Sequence, residues 1–238
     1  MMWDPDVFFT LHRDLPREGP GLPADVYWAA QKAGLAKTAE IADVGCGPGA
    51  DIAAWLEVAP DGHVTALDKV AHFVEAARAN YRADPRVTIL KADMTRIINS
   101  YDMIWCAGAV YFLGVTEALT RWRPALRPGG AIAFTEPCWF GTPSPRAKAL
   151  FGEYEAMTDL EGITTRIEDA GFEMVATRPL DDAAWEAYLG PIDVRIAALR
   201  PTADAVLNAV LDEAVEEAAC WRAHRREFGY QLCVVRPK

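Results

Sequence analysis

The chain lacks most of what would commit it to a membrane, a metal or a nucleic acid. No apolar run approaches the ~18 residues a membrane-spanning helix needs, and the N-terminus, MMWDPDVFFT, is acidic and short of apolar residues, unlike a signal peptide or an anchor. Basic side chains are in deficit: 24 Lys and Arg against 34 Asp and Glu leave a net charge of -10, which opposes binding to a phosphate backbone. There is no C-x-x-C among five scattered cysteines, so the thiols read as reduced and the protein as cytoplasmic. Cys46, Cys106 and Cys138 fall at expected strand ends, but without metal-ligand spacing they read as small buried fillers, and no metal is expected. No linker divides the 238 residues, of which about half are apolar, enough for a full core.

What is present centres on IADVGCGPGAD, residues 41–51. An apolar run reading as the end of a buried strand passes straight into glycines at 45, 47 and 49, and the ADIAAWLEVA that follows has the pattern of an amphipathic helix. Glycine suits such a turn because it accepts positive φ and lets a ligand lie against bare backbone at the positive end of a helix. Gly45, Gly47 and Ala50 satisfy a dinucleotide fingerprint, with Asp68 about 20 residues on, so an NAD(P)-dependent oxidoreductase is one reading. Two residues oppose it. Asp43 would set a carboxylate near a pyrophosphate, where like charges ~4 Å apart repel by several kcal/mol at an effective dielectric near 20, and Pro48 removes an amide donor. A ligand with a cationic head suits the loop better.

DVGCGPG resembles motif I of the class I S-adenosylmethionine-dependent methyltransferases, an acidic residue, x, then G-x-G-x-G, and matches every defined position. The resemblance implies S-adenosylmethionine as cofactor, held around Asp43, Gly45, Cys46, Gly47 and Gly49. It also implies a fold: a Rossmann-like, doubly wound α/β sheet of seven strands, mostly parallel, with an antiparallel last strand. HVTALDK reads as the second strand, ending at Asp68 and Lys69, where a carboxylate can take both ribose hydroxyls. RVTILKAD is the third, and family roles there put the adenine amino group on Asp93 and the ring under Met94. YDMIWC is the fourth, after which Cys106 and Ala107 hold the positions that offer backbone carbonyls to the methionine ammonium. The N/D-P-P-Y signature of amide-nitrogen methylation is absent, as is the Y-x-x-x-K pair of short-chain dehydrogenases.

Tyr111 and Phe112 either wall the site or belong to the core. EALTRWRPAL reads as a helix, LRPGG as a stop and turn, and AIAFTEPCWF as the fifth strand, with Glu136 expected at the cleft. Helical stretches around PRAKALFGEYEAM and TTRIEDAG precede FEMVATRPL, the sixth strand, and FGYQLCVVRPK is the seventh. His72 reads as a solvated or packed histidine.

The expected organisation is one methyltransferase domain. Residues 1–38 form an N-terminal arm and helix, 39–180 the cofactor-binding core, 181–227 a helical cap inserted before the last strand, and 228–238 that strand. The arm carries LPREGPG, similar to a segment in a set of bacterial methyltransferases with no assigned substrate. It either packs on the sheet edge or folds over the cofactor mouth with Phe8, Phe9, His12 and Arg17. In the cap, Trp185, Tyr188, Arg195, Trp221 and His224 line a pocket or anchor the cap to the body. Methyl transfer to a small molecule is the expected activity, with His12, Tyr111, Glu136 and His224 as candidate bases. A protein that binds S-adenosylmethionine without turnover is the third reading, and a homodimer is left open.

Overall fold

Strands apolar on both faces demand helices on both sides of their sheet, and the computed structural model, which describes residues 5–150 and 154–238, has that arrangement. β1 (Glu40–Val44), β2 (His63–Asp68), β3 (Val87–Lys91), β4 (Tyr101–Cys106) and β5 (Leu126–Trp139) are parallel in the order β3-β2-β1-β4-β5. β8 (Phe228–Pro237) then lies antiparallel between β5 and β7 (Phe172–Pro179), the reversed insertion expected of the last strand. A two-residue β6 (Thr158–Asp159) adds an eighth strand to the expected seven. It pairs with Cys138 and Trp139, where β5 runs on past its last β4 pairing at Cys106 and leaves an open edge.

The period of two is visible in the packing. Ile41, Met103, Trp105, Ala133 and Val234 face one layer, while Ala42, Ile104, Cys106, Phe134 and Val235 face the other. Against the first lie α2 (Pro23–Ala33), α3 (Ile52–Val58), α8 (Asp182–Leu199) and α9 (Ala205–His224). Against the second lie α5 (Val115–Trp122) and α7 (Leu160–Asp169). α4 (Ala71–Tyr81) packs on β2 and β3. Of the helices expected after the glycine loop, α3, α4, α5 and α7 end within a few residues of where their patterns break.

Three local readings change. LRPGG is not a turn ahead of β5 but its first stretch. Leu126 pairs with Tyr101 and Ala131 with Met103, so residues 127–130 bulge out opposite Asp102. Of the helical stretch around PRAKALFGEYEAM, α6 (Pro145–Leu150) is helical and residues 151–153 lie outside the described residues. The arm contains a helix, α1 (Pro5–His12), too short to leave a periodic signal.

The arm's packing settles where it goes. Leu11 and Leu15 form a separate small core with Ile192, Ile196, Val210 and Leu211 of α8 and α9, so the arm docks on the cap helices rather than on the sheet edge. Arg195 Nη2 donates to the Thr10 carbonyl at 3.1 Å, and Gly21 N donates to the Ala184 carbonyl at 3.1 Å. The cap is in turn fixed to the sheet by aromatic stacking: Trp185 lies 4.8 Å from Trp221 and 5.4 Å from Tyr230, ring centre to ring centre. Trp185 and Trp221 are therefore anchors, not pocket walls. Replacing Trp221 by Ala is expected to destabilise the protein by about 3–5 kcal/mol, the usual cost of a buried aromatic, measured by urea unfolding.

Candidate functional site

The C-terminal ends of β1, β2, β3 and β4 open into a cavity of about 610 Å³, within the range that holds a cofactor or drug-sized ligand. Its floor is the glycine loop. Gly45 N and Cys46 N both donate to the Leu67 carbonyl, at 2.8 and 3.0 Å, and Gly49 N donates to the Cys46 carbonyl at 2.9 Å. Gly47 N donates to Asp68 Oδ2 at 3.0 Å, and Pro48 has no N–H. Every amide from 45 to 49 is thus committed inside the protein, and the loop offers no nest of free donors for an anion.

The groups that do face the cavity are mostly acidic. Asp43, at the end of β1, is buried at 3% exposure. Burial above all, with the charges of Asp51 and Asp68, holds its carboxyl well above the usual carboxylate range, and Arg17 partly offsets this. Asp68 closes β2, taking Gly47 N on one oxygen and Val70 N on the other at 2.8 Å. Asp93 accepts from Thr95 N and Oγ1 at 2.8 and 2.6 Å, bonds that lower its pKa. Both expected aspartates therefore cap turns, and each lines the cavity as well, along with Lys69, Met94 and Ala107. Met94 is pinned through its carbonyl by Trp122 Nε1 at 2.8 Å.

The arm forms the lid. Phe8, Phe9, His12, Arg17, Glu18 and Gly19 line the cavity. Arg17 Nε donates to the Gly19 carbonyl at 2.6 Å and its Nη2 reaches Asp51 at 3.3 Å, while Asp51 also accepts from Trp105 Nε1 at 2.9 Å. Glu18 was not legible as a site residue, although it stands inside LPREGPG. Its Oε2 meets His12 Nδ1 at 2.7 Å, and its Oε1 is buried with no hydrogen-bond partner. Burial raises its pKa, against the lowering effect of His12. Gly47, at φ +52°, is the floor beneath it: a Cβ there would sit 3.4 Å from Glu18 Cγ.

Four expected residues lie elsewhere. Gly49 (φ +87°) is a packing glycine, since a Cβ would come within 2.9 Å of Ile52 Cδ1. Cys106 is fully buried, so the cavity wall after β4 starts at Ala107. His224 pairs with Glu227 at 2.7 Å, at the far end of α9, away from the cavity lining. Glu136 shares the face of Phe134 and Cys138 by the two-residue period, and α7 covers that face. It is fully buried, hydrogen-bonded by the Tyr154 hydroxyl, and 3.7 Å from Arg166 Nη1. Of the four candidate bases, His12 and Tyr111 line the cavity. His72 is packed, with Phe9 at 4.7 Å.

A doubly wound sheet with a cavity at the strand ends, floored by a glycine loop, defines a Rossmann-like cofactor-binding protein. Residues 41–130 match the family described as methyltransferase domain. The trans-aconitate 2-methyltransferase of Mycobacterium tuberculosis (strain ATCC 25177 / H37Ra) is 30% identical over 165 residues, 67% of this chain and 58% of that protein, so this chain matches less than two thirds of that relative's length. Two solved S-adenosylmethionine-dependent methyltransferases, each in complex with S-adenosylhomocysteine, share the whole fold. One is from Thiobacillus denitrificans (TM-score 0.84, 20% identity) and the other from Geobacter sulfurreducens (TM-score 0.83, 19% identity), with both chains covered completely in each case. The chain belongs to the class I S-adenosylmethionine-dependent methyltransferases. Among the described residues no helix is long and apolar enough to cross a membrane, and no His/Cys/Asp/Glu group could hold a metal ion.

Glu136 makes stability depend on pH. Burial lifts its carboxyl to about 7, against the lowering effects of Tyr154 and Arg166, so between about 4.5 and 7 the folded chain binds more protons than the unfolded one. Stability is expected to fall as pH rises through that window. Glu136→Gln should flatten the dependence and raise stability at pH 8 by up to ~3 kcal/mol, read from urea melts at pH 5 and pH 8.

Proposed function

We propose that the protein catalyses S-adenosylmethionine-dependent methyl transfer to a small-molecule acceptor. The observation that carries this reading is the closed glycine loop: with its amides committed at 45, 46, 47 and 49 and carboxylates above it, the cavity floor favours a cationic amino-acid tail over a diphosphate. The residues present fit that tail. The unpartnered Glu18 Oε1 over bare Gly47 is a ready acceptor for an α-ammonium, and Asp43 adds a second acid whose raised pKa a nearby cation would bring down. The loop after β4 can add the carbonyl of Ala107, which lines the cavity. Asp68 keeps lone pairs for ribose hydroxyls beside its two backbone donors, with Lys69 next to it. Asp93 and Met94 flank the adenine end.

Bound S-adenosylmethionine supplies a methyl group already activated by its sulfonium. What the chain must add is orientation, exclusion of water and a home for a proton. The arm and Tyr188 roof the cavity against water. His12, held through Nδ1 by Glu18 and stacked on Phe8 at 4.1 Å, turns Nε2 to the cavity it lines and is the general base. Its fixed tautomer favours turnover over passive cofactor binding. Tyr111, its hydroxyl pushed up to about 12 chiefly by burial, serves as a neutral hydrogen-bonding wall. We take the chain as one domain with residues 181–227 as its cap, working in the cytoplasm with its thiols reduced. The net charge of -10 disfavours nucleic acid as the acceptor.

S-adenosylhomocysteine is expected to raise the melting temperature while NAD leaves it unchanged; the opposite pattern would refute the reading. Asp68→Ala should weaken S-adenosylmethionine by about 1–3 kcal/mol in calorimetry, the cost of losing hydrogen bonds to a charged group.

A further inference from the structure

We propose that the methyl acceptor is a neutral phenol, its ring laid among Phe8, Tyr111 and Tyr188 and its hydroxyl proton taken by His12; this rests on the cofactor reading above. The base itself restricts the acceptor. A carboxylate reaches a site already ionised and needs a cation rather than a base. His12 is held as a base: its Nδ1 meets Glu18 Oε2 at 2.7 Å, its ring stacks on Phe8 at 4.1 Å, and it lines the cavity at only 7% exposure. The nucleophile it serves arrives carrying a proton.

The fixed charges of the lining are already engaged. Among the described residues the lining cations besides His12 are Arg17, bonded to the Gly19 carbonyl at 2.6 Å and to Asp51 at 3.3 Å, and Lys69, whose Nζ lies 5.5 Å over the Phe112 ring. Neither is free to hold an acceptor anion. The acids are engaged as well. Asp51 takes Arg17 and Trp105, Asp68 and Asp93 take backbone amides and serve the ribose and adenine ends, and Glu18 Oε1 and Asp43 serve the cofactor's ammonium. No lining carboxylate is left for an acceptor ammonium, so a neutral acceptor enters without leaving a charge unpaired.

The arm brings the base to ring surface. It meets the loop after β4 at two glycines, where a Cβ on Gly19 would lie 3.8 Å from Gly108 Cα, and that loop leads into Tyr111 and Phe112, whose rings are 4.4 Å apart. Tyr188, half-buried on α8, packs on the core that holds Leu11, the residue before His12. Phe8, Tyr111, Phe112 and Tyr188 all line the cavity, and a planar ring stacks on such faces. Among neutral hydroxyls the phenolic one lies nearest imidazole in acidity, so it is the one a histidine serves best.

The chemistry balances on these groups. The phenol gives its proton to His12 Nε2 as the oxygen lone pair forms the O–C bond with the methyl carbon. The C–S bond breaks with its electron pair going to sulfur, leaving a neutral thioether and an aryl methyl ether. The positive charge passes to the His12 imidazolium beside Glu18, and His12 then gives its proton to water.

The test is calorimetry on protein saturated with S-adenosylhomocysteine, titrated with 4-nitrophenol, catechol, umbelliferone and 4-hydroxybenzaldehyde and, against them, benzylamine, benzoate, cyclohexanol and trans-aconitate. The same compounds are then assayed for methylation with S-adenosylmethionine. At least one phenol should bind and be O-methylated faster than any compound of the second set. His12→Gln should lower kcat for that phenol by about 100-fold or more with KM changed less than about threefold, and its retained S-adenosylhomocysteine affinity shows that the variant is folded. No binding or methylation of any phenol, faster methylation of an amine, a carboxylate or cyclohexanol, or wild-type kcat in His12→Gln overturns the proposal while S-adenosylhomocysteine binding leaves the cofactor reading standing. Wild-type protein that fails to bind S-adenosylhomocysteine overturns the cofactor reading and the phenol proposal with it.

Discussion

The site depends on a loop that satisfies its own backbone. Once Gly45, Cys46, Gly47 and Gly49 donate to Leu67, Asp68 and Cys46, the turn between β1 and α3 is held rigid against the end of β2. Residues 45–49 then have no free amide to offer an anion, and the carboxylates around the loop set the sign of the field. Asp68 is the joint between these two effects, because one side chain both fastens the loop and faces the ligand space.

A second layer of the site is supplied by segments far from the loop. The arm is held by the cap through Leu11, Leu15 and the apolar faces of α8 and α9, and by the loop through Arg17 and Asp51. Any movement of the cap therefore carries Glu18 and His12 with it, so the cap helices and the roof of the cavity move together. Trp185 and Trp221 restrain that movement by tying the cap to Tyr230 on β8. The cap, the arm and the glycine loop are in this sense parts of one packed unit.

Acid placement distinguishes structure from chemistry. Glu136 and Asp43 are both buried carboxyls with raised pKa values, yet only Asp43 lines the cavity. Glu136 looks under α7 to Tyr154 and Arg166, and its effect is on stability. A raised pKa alone does not make a base; access to the reacting atoms does.

The amino-acid sequence by itself determined the strand-loop-helix at 41–58, the sheet's content and the carboxylates closing β1, β2 and β3. These follow from period and from glycine, which act over a few neighbouring residues. Tertiary structure alone decided which side chains share the cavity. Glu18 and His12 reach it because a short helix finds a partner in α8 and α9, nearly 200 residues away in sequence. Glu136 and His224 miss it because the direction of a strand face and the end of a long helix are set by what packs on them. Local pattern encodes which face of an element is apolar; only the docking of one element on another decides what that face meets.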